Sequence, residues 1–209
     1  VTLVVVLTDA NVLFSRVLRD YFMYAAEQGI VELRWSTRIL DEMTKNHTLK
    51  RGISEDQGRN LVNLLNRAIP MALVDPTQAD FDVFGSVAMP DPDDRHVLAA
   101  AVAAEADVLC TMNVKDFPLE AMLAVGVKLM TPDAVLQQFI MEFPEEMKAA
   151  HQRTVESSKG GTTPRALEAL ERAQAPNASQ AMAVAIKRHY TGPYLRSTGY
   201  VSGYWSPKF

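Results

Sequence analysis

The sequence holds one cysteine, Cys110, in 209 residues. An internal disulfide is thereby excluded, and a lone thiol inside the apolar run DVLC is expected to be a small buried hydrophobe in a reducing, cytoplasmic setting. Histidine is scarce as well. His47, His96, His151 and His189 show no metal-ligand spacing with one another or with Cys110, which argues against zinc. Positive charge is not in surplus either: 21 Lys and Arg face 25 Asp and Glu, for a net charge of −4. That balance excludes diffuse attraction to nucleic acid or to an anionic membrane, so a polyanionic substrate would need a local basic patch or a cation. A membrane-spanning run is missing too. The apolar opening VTLVVVLTDANVLF is interrupted at Asp9 and carries no basic leader or cleavage site, so it is read as a buried strand with no membrane role.

What is present is a globular composition. With 48% hydrophobic and 22% charged residues the chain can bury a full core, expected to be one domain plus an appendage. Short β-branched runs alternate with helical patterns, the signature of a mostly parallel sheet covered by helices. Strands are expected at 3–8, 30–35, 71–74, 107–111 and 127–130, and helices at 12–28, 36–49, 54–67 and 92–105. Residues 133–156 read as one or two further helices interrupted near Pro144. The fold class is therefore α/β, a five-stranded mostly parallel sheet in an α/β/α sandwich. The domain is expected to cover 1–156, with SSKGGTTP as a linker at 157–164. Beyond it, 165–209 reads as an appendage of two short helices, parted by APNAS with Ser179 as a candidate N-cap, and an aromatic tail.

The chemistry-bearing feature is acidic. In parallel sheets, functional groups gather outside the C-terminal ends of the strands. Asp9 follows the first expected strand, Asp116 follows the fourth, Asp91 and Asp94 open the helix leading into that strand, and Glu42 lies in the helix after the second. Each acid has a local explanation. Asp91 before Pro92 suits an N-cap, Asp93 and Asp94 suit the positive end of a helix dipole, Asp41 and Glu42 suit an exposed face, and Asp116 suits a cap near Pro118. Local causes do not, however, require acids at the ends of strands one and four together. An all-oxygen donor set favours a hard divalent cation such as Mg²⁺ or Mn²⁺.

The chain from about 3 to 135 resembles PIN-domain ribonucleases, and within them the VapC-type toxins of toxin–antitoxin pairs. The resemblance rests on LTDANVLFS, STRILDEM, DPDDRHVLAAAVAAEADVLCTMNVKDF and GVKLMTPDAVL, in that order and spacing. It implies Asp9, Glu42, Asp94 and Asp116 as the metal-binding quartet with Asp91 a fifth acid, and Asn11, Thr111 and Asn113 as supporting hydrogen-bonding residues. Asn113 stands where some relatives carry another acid. The resemblance further implies hydrolysis of RNA, tRNA or rRNA among the targets, leaving a 5′-phosphate and a 3′-hydroxyl, together with a cognate antitoxin and a homodimer.

Backbone capture would fall to basic side chains near the rim: Arg34, Arg38, Lys45, His47, Lys50 and Arg51 around the second acid, and Arg95, His96 and Lys115 around the others. The tail aromatics Tyr190, Tyr194, Tyr200, Tyr204 and Trp205 could stack bases. Two other readings compete. One is a PIN scaffold that binds without cutting. The other is a receiver-like phospho-acceptor module, for which Thr111 and Lys128 lie near suitable places but an acidic pair beside Asp9 is lacking.

Overall fold

The computed structural model describes residues 3–187. Five strands form one all-parallel sheet: β1 (Val4–Thr8), β2 (Val31–Ser36), β3 (Leu73–Val74), β4 (Val108–Cys110) and β5 (Lys128–Met130), in the order β3-β2-β1-β4-β5. All five lie where β-branched runs place them. A parallel strand is covered on both faces, which is why β1 and β4 read as unbroken apolar runs rather than alternating ones. Val6, Leu7, Leu33, Trp35 and Leu109 are fully buried, and so is Cys110, as its apolar setting predicts.

Helices α1 (Ala10–Phe14) and α2 (Arg16–Glu27) connect β1 to β2, and α3 (Thr37–Arg51) and α4 (Glu55–Ala68) connect β2 to β3. The single helix expected at 12–28 is two, because Ser15 adopts extended backbone between them. Helix α3 is started by Ser36, whose hydroxyl accepts from the Ile39 amide, and ends at Gly52 with φ of 64°, a left-handed stop that glycine adopts at little cost. The short α5 (Gln78–Asp82), too brief for a periodic signal, precedes a 3-10 turn at Pro92–Asp94 and α6 (Arg95–Ala103). The helix expected over 92–105 thus opens as a tighter coil. After β4 come a second 3-10 turn at Val114–Asp116 and α7 (Leu119–Val125). Past β5, α8 (Pro132–Glu142) and α9 (Pro144–Ser157) are parted at Phe143, before Pro144.

The last described helices are α10 (Thr163–Arg172) and α11 (Pro176–Lys187). Ser157 closes α9 and Thr163 and Pro164 open α10, so the connection is 158–162. Both helices pack on the rest of the chain: α11 lies along α8, and α10 touches α2 and α9. A buried polar chain joins them, in which the Tyr21 hydroxyl meets His151 Nδ1 while His151 Nε2 lies 3.0 Å from Thr163 Oγ1. Ser179 is not an N-cap. It sits inside α11, buried, its hydroxyl donating to the Leu167 carbonyl. The cap comes from across the fold, where Asp133 accepts from the Ala178 amide at 2.8 Å and from Asn177 Nδ2 at 2.7 Å. The tail aromatics lie outside the described residues.

Candidate active site

In this strand order the chain reverses its winding between β1 and β4, and a crevice opens beyond their C-terminal ends. Asp9 sits at that point and is 4% exposed. Its backbone amide donates to the Cys110 carbonyl, extending the β1–β4 ladder by one bond. Oδ1 accepts from the Ala10 amide at 2.6 Å, capping α1, and Oδ2 accepts from Asn11 Nδ2 and from Thr111 Oγ1, each at 2.6 Å. The Thr111 hydroxyl also accepts from Asn11 Nδ2 and from the Asn113 amide, and Asn11 Oδ1 accepts from the Met112 amide. Of the three residues expected to support the site, Asn11 and Thr111 bond the Asp9 carboxylate, while Asn113 bonds only the Thr111 hydroxyl, and through its backbone amide. This lattice fixes the Asp9 carboxylate to about one orientation. Burial raises its pKa above the usual range; the Thr111 bond opposes this and the Glu42 charge adds to it.

Asp94 closes the first 3-10 turn, started by Asp91, whose carboxylate accepts from the Asp93 amide at 2.9 Å with Pro92 next. The capping explanation of Asp91 is therefore correct, and it brings Asp94 round toward Asp9. Burial, then the charges of Asp9, Asp91, Asp116 and Glu42, push the Asp94 carboxyl up to about 6. Acids from four separate segments thus act on one group. Asp116 lies in the second 3-10 turn; the cap of α7 is Pro118, so capping does not explain this acid.

Glu42 projects from α3 and is half-exposed, with Oε2 3.6 Å from His96 Nε2. His96 is buried, and its Nδ1 has no hydrogen-bond partner among the described residues. The sequence reading placed His96 among surface groups that grip phosphate, whereas the structure uses it as an internal support for Glu42. Its position inside the apolar run HVLAAA was the available signal.

The basic candidates separate. Arg38 lies at the acidic edge, 3.7 Å from Asp93, and Lys115 is exposed beside Asp116. Lys45 is exposed on α3, facing the groove toward α4. Arg34 does not reach the rim: its guanidinium turns back along β2 to Glu32 at 2.7 Å. Arg95 is also committed elsewhere, donating to the carbonyls of Val87 and Gly85 and lying over the Phe84 ring. His47 is a core residue against Phe14.

The donor atoms are carboxylate oxygens that repel one another, a set that fits a hard divalent cation. Among the described residues, no three His, Cys, Asp or Glu side chains converge closely enough to hold an ion as they stand.

A five-stranded parallel α/β/α domain with an acidic crevice at its switch point is the class defined so far. The strand order also differs from the 2-1-3-4-5 order of receiver domains, which sets that reading aside. The family model described as PIN domain matches residues 5–115, more than half of the chain, and the chain belongs to that family. It is also similar to a Mycobacterium tuberculosis protein named "Putative ribonuclease VapC50", 43% identical over 56 residues, which are 27% of this chain and 33% of that protein. The chain thus spans about a third of the length of that curated relative. No solved structure matches. No helix among the described residues is long and apolar enough to cross a membrane.

Proposed function

We propose that this chain is an endoribonuclease dependent on Mg²⁺ or Mn²⁺, the toxin of a VapC-type toxin–antitoxin pair. The observation that carries the reading is the convergence of charge on Asp94 from Asp9, Glu42, Asp91 and Asp116, with its carboxyl pushed up to about 6. A fold does not gather five acids at one rim for stability, since each addition costs repulsion. Asp9, Asp94, Asp116 and Asp91 would hold the cation, with Glu42 as a ligand or as a group orienting water. When bound, the cation supplies charge neutralisation at the phosphoryl oxygens and acidification of water.

The chain's own part is positional. The Asn11–Thr111 lattice holds Asp9 still, and His96 sets the Glu42 carboxylate where it can accept a hydrogen bond from the attacking water. Water adds to phosphorus and the bond to the 3′-oxygen breaks, giving a 5′-phosphate and a 3′-hydroxyl. In this reading residues 1–156 carry the chemistry, and the appendage expected after them is represented among the described residues by 165–187. Structured RNA such as tRNA or rRNA, an inhibitory antitoxin and a homodimer belong to the same reading.

Purified protein with Mn²⁺ is expected to cleave cellular RNA, with cut ends mapped by sequencing, and EDTA to stop it. Asp9→Asn and Asp94→Asn are each expected to abolish cleavage while the circular dichroism spectrum stays that of the parent. Cleavage that persists in both variants would remove the acids from the chemistry.

A further inference from the structure

A cluster of positive charge lies apart from the acids at the switch point, where α2, the end of α9 and α10 meet. A cavity of about 430 Å³ there is lined by Arg16, Arg51, Lys159, Arg165 and Arg172, with Asp20 the single acid. Five cations around one carboxylate is an unusual arrangement in a chain whose net charge is −4. Two unit charges about 6 Å apart repel by roughly 3 kcal/mol at an effective dielectric of ~20, so such a group is stable only if solvated or if an anion joins it.

The cavity is also built, not merely charged. Arg165 Nη1 donates to the Gly160 carbonyl at 2.8 Å, on the loop that forms the wall, and Arg16 Nη2 to the Ser157 carbonyl at 3.1 Å, at the end of α9, so two of the cations are fixed in place. That loop lies hard against α9: a Cβ at Gly161 would stand 2.0 Å from the Val155 carbonyl oxygen. A guanidinium has five N–H donors, so both arginines keep donors to offer. Lys159 and Arg172 are exposed and make no hydrogen bond or ion pair among the described residues. Asp20 is already engaged by Arg16 at 3.4 Å and leaves most of the positive charge uncompensated.

We propose that this cavity is a phosphate-binding exosite that holds the backbone of the RNA substrate beside the cleavage point; the assignment rests on the nuclease reading above. The volume falls within the range of ligand sites and exceeds what one phosphate fills. No aromatic side chain lines the cavity, so it is fitted to read phosphates rather than to stack a base. Two helices run from the acids to it. Helix α1 starts at Asp9 and ends beside Ser15 on the cavity wall, and α3 carries Glu42 near its start and Arg51 at its end. At 1.5 Å per helical residue these helices carry the chain about 9–14 Å from the acids, a span of a few nucleotides.

The test measures binding of the full chain to a labelled single-stranded RNA in EDTA, across a series of salt concentrations, with inorganic tripolyphosphate as a second probe. For Lys159→Ala/Arg172→Ala, RNA affinity is expected to fall about tenfold near 0.15 M salt, and the slope of log K against log salt to become shallower by about 1.4, since each lost phosphate contact on a single strand removes about 0.7. An affinity and slope equal to the parent's overturn the exosite, as does failure of the parent to bind RNA at all. Lost tripolyphosphate binding with unchanged RNA binding also overturns it, and assigns the cavity to a small polyphosphate. Cleavage of RNA in Mn²⁺ is scored separately: cutting with an unchanged slope refutes the exosite alone, while a changed slope without cutting refutes the nuclease reading alone.

Discussion

Asp94 is kept neutral by burial and by the charges of four neighbouring acids up to about pH 6. In an unfolded chain an aspartate gives up its proton near pH ~4, so between about 4 and 6 the native state binds the extra proton. Stability contributed by that proton is complete below about 4 and is lost as pH rises through about 6, the reverse of the usual carboxylate. Asp94→Asn removes the titration with little change of shape. In metal-free protein the variant is expected to melt close to the parent at pH 4 and above it at pH 7, and Mn²⁺ at pH 7 to raise the melting temperature of the parent more than that of the variant. An equal difference at both pH values would show that Asp94 is not coupled to its neighbours. That Asp9, Asp91, Asp116 and Glu42 act electrostatically on Asp94 was legible in the sequence, because position relative to strand ends decides which carboxylates share a rim. The basic residues were not. Arg34 and Arg95 are decided by whichever carboxylate or carbonyl lies within reach of a long side chain, Glu32 in one case and Val87 and Gly85 in the other, and spacing along the chain does not encode that.

At the scale of elements, periodicity found the long helices and the strands, and missed what contacts between distant elements decide. The start of α11 is the clearest instance. A serine within a helical pattern invites an N-cap assignment, yet Pro176 starts the helix and Asp133, on α8, supplies the acceptor. Asp133 is 8% exposed, and both of its oxygens are used by the first turn of α11. Replacing it with alanine leaves an amide hydrogen without its acceptor in a buried joint. Asp133→Ala is therefore expected to lower unfolding free energy by about 1–3 kcal/mol, read as a lower midpoint in urea. Serine at 179 answers a different need, tying α11 to α10 through the Leu167 carbonyl, so its replacement should loosen that pair without uncapping the helix.

The composition shift at SSKGGTTP suggests a hinge between independent parts, but packing decides whether the parts are independent. Leu170, Ala178 and Met182 of the last two helices have no exposed surface, and neither do Leu136, Met147 and Ala150 of α8 and α9. Full burial of a Leu or Met side chain is worth about 1.5–3 kcal/mol, so uncovering this joint forfeits several kcal/mol, a large part of the ~5–15 kcal/mol that holds a typical domain folded. His151 would lose Thr163 as well, and Asp133 would lose both of its partners. A chain ending at Ser157 is accordingly expected to melt well below the parent and to aggregate, with light scattering and thermal melts as the measurements. The same cut removes Lys159, Arg165 and Arg172 from the cationic cavity, whereas the acids at the switch point lie wholly upstream of it. If the shortened chain instead folds with parental stability, residues 158–187 are an independent attachment, and the cavity is a surface between two separable units.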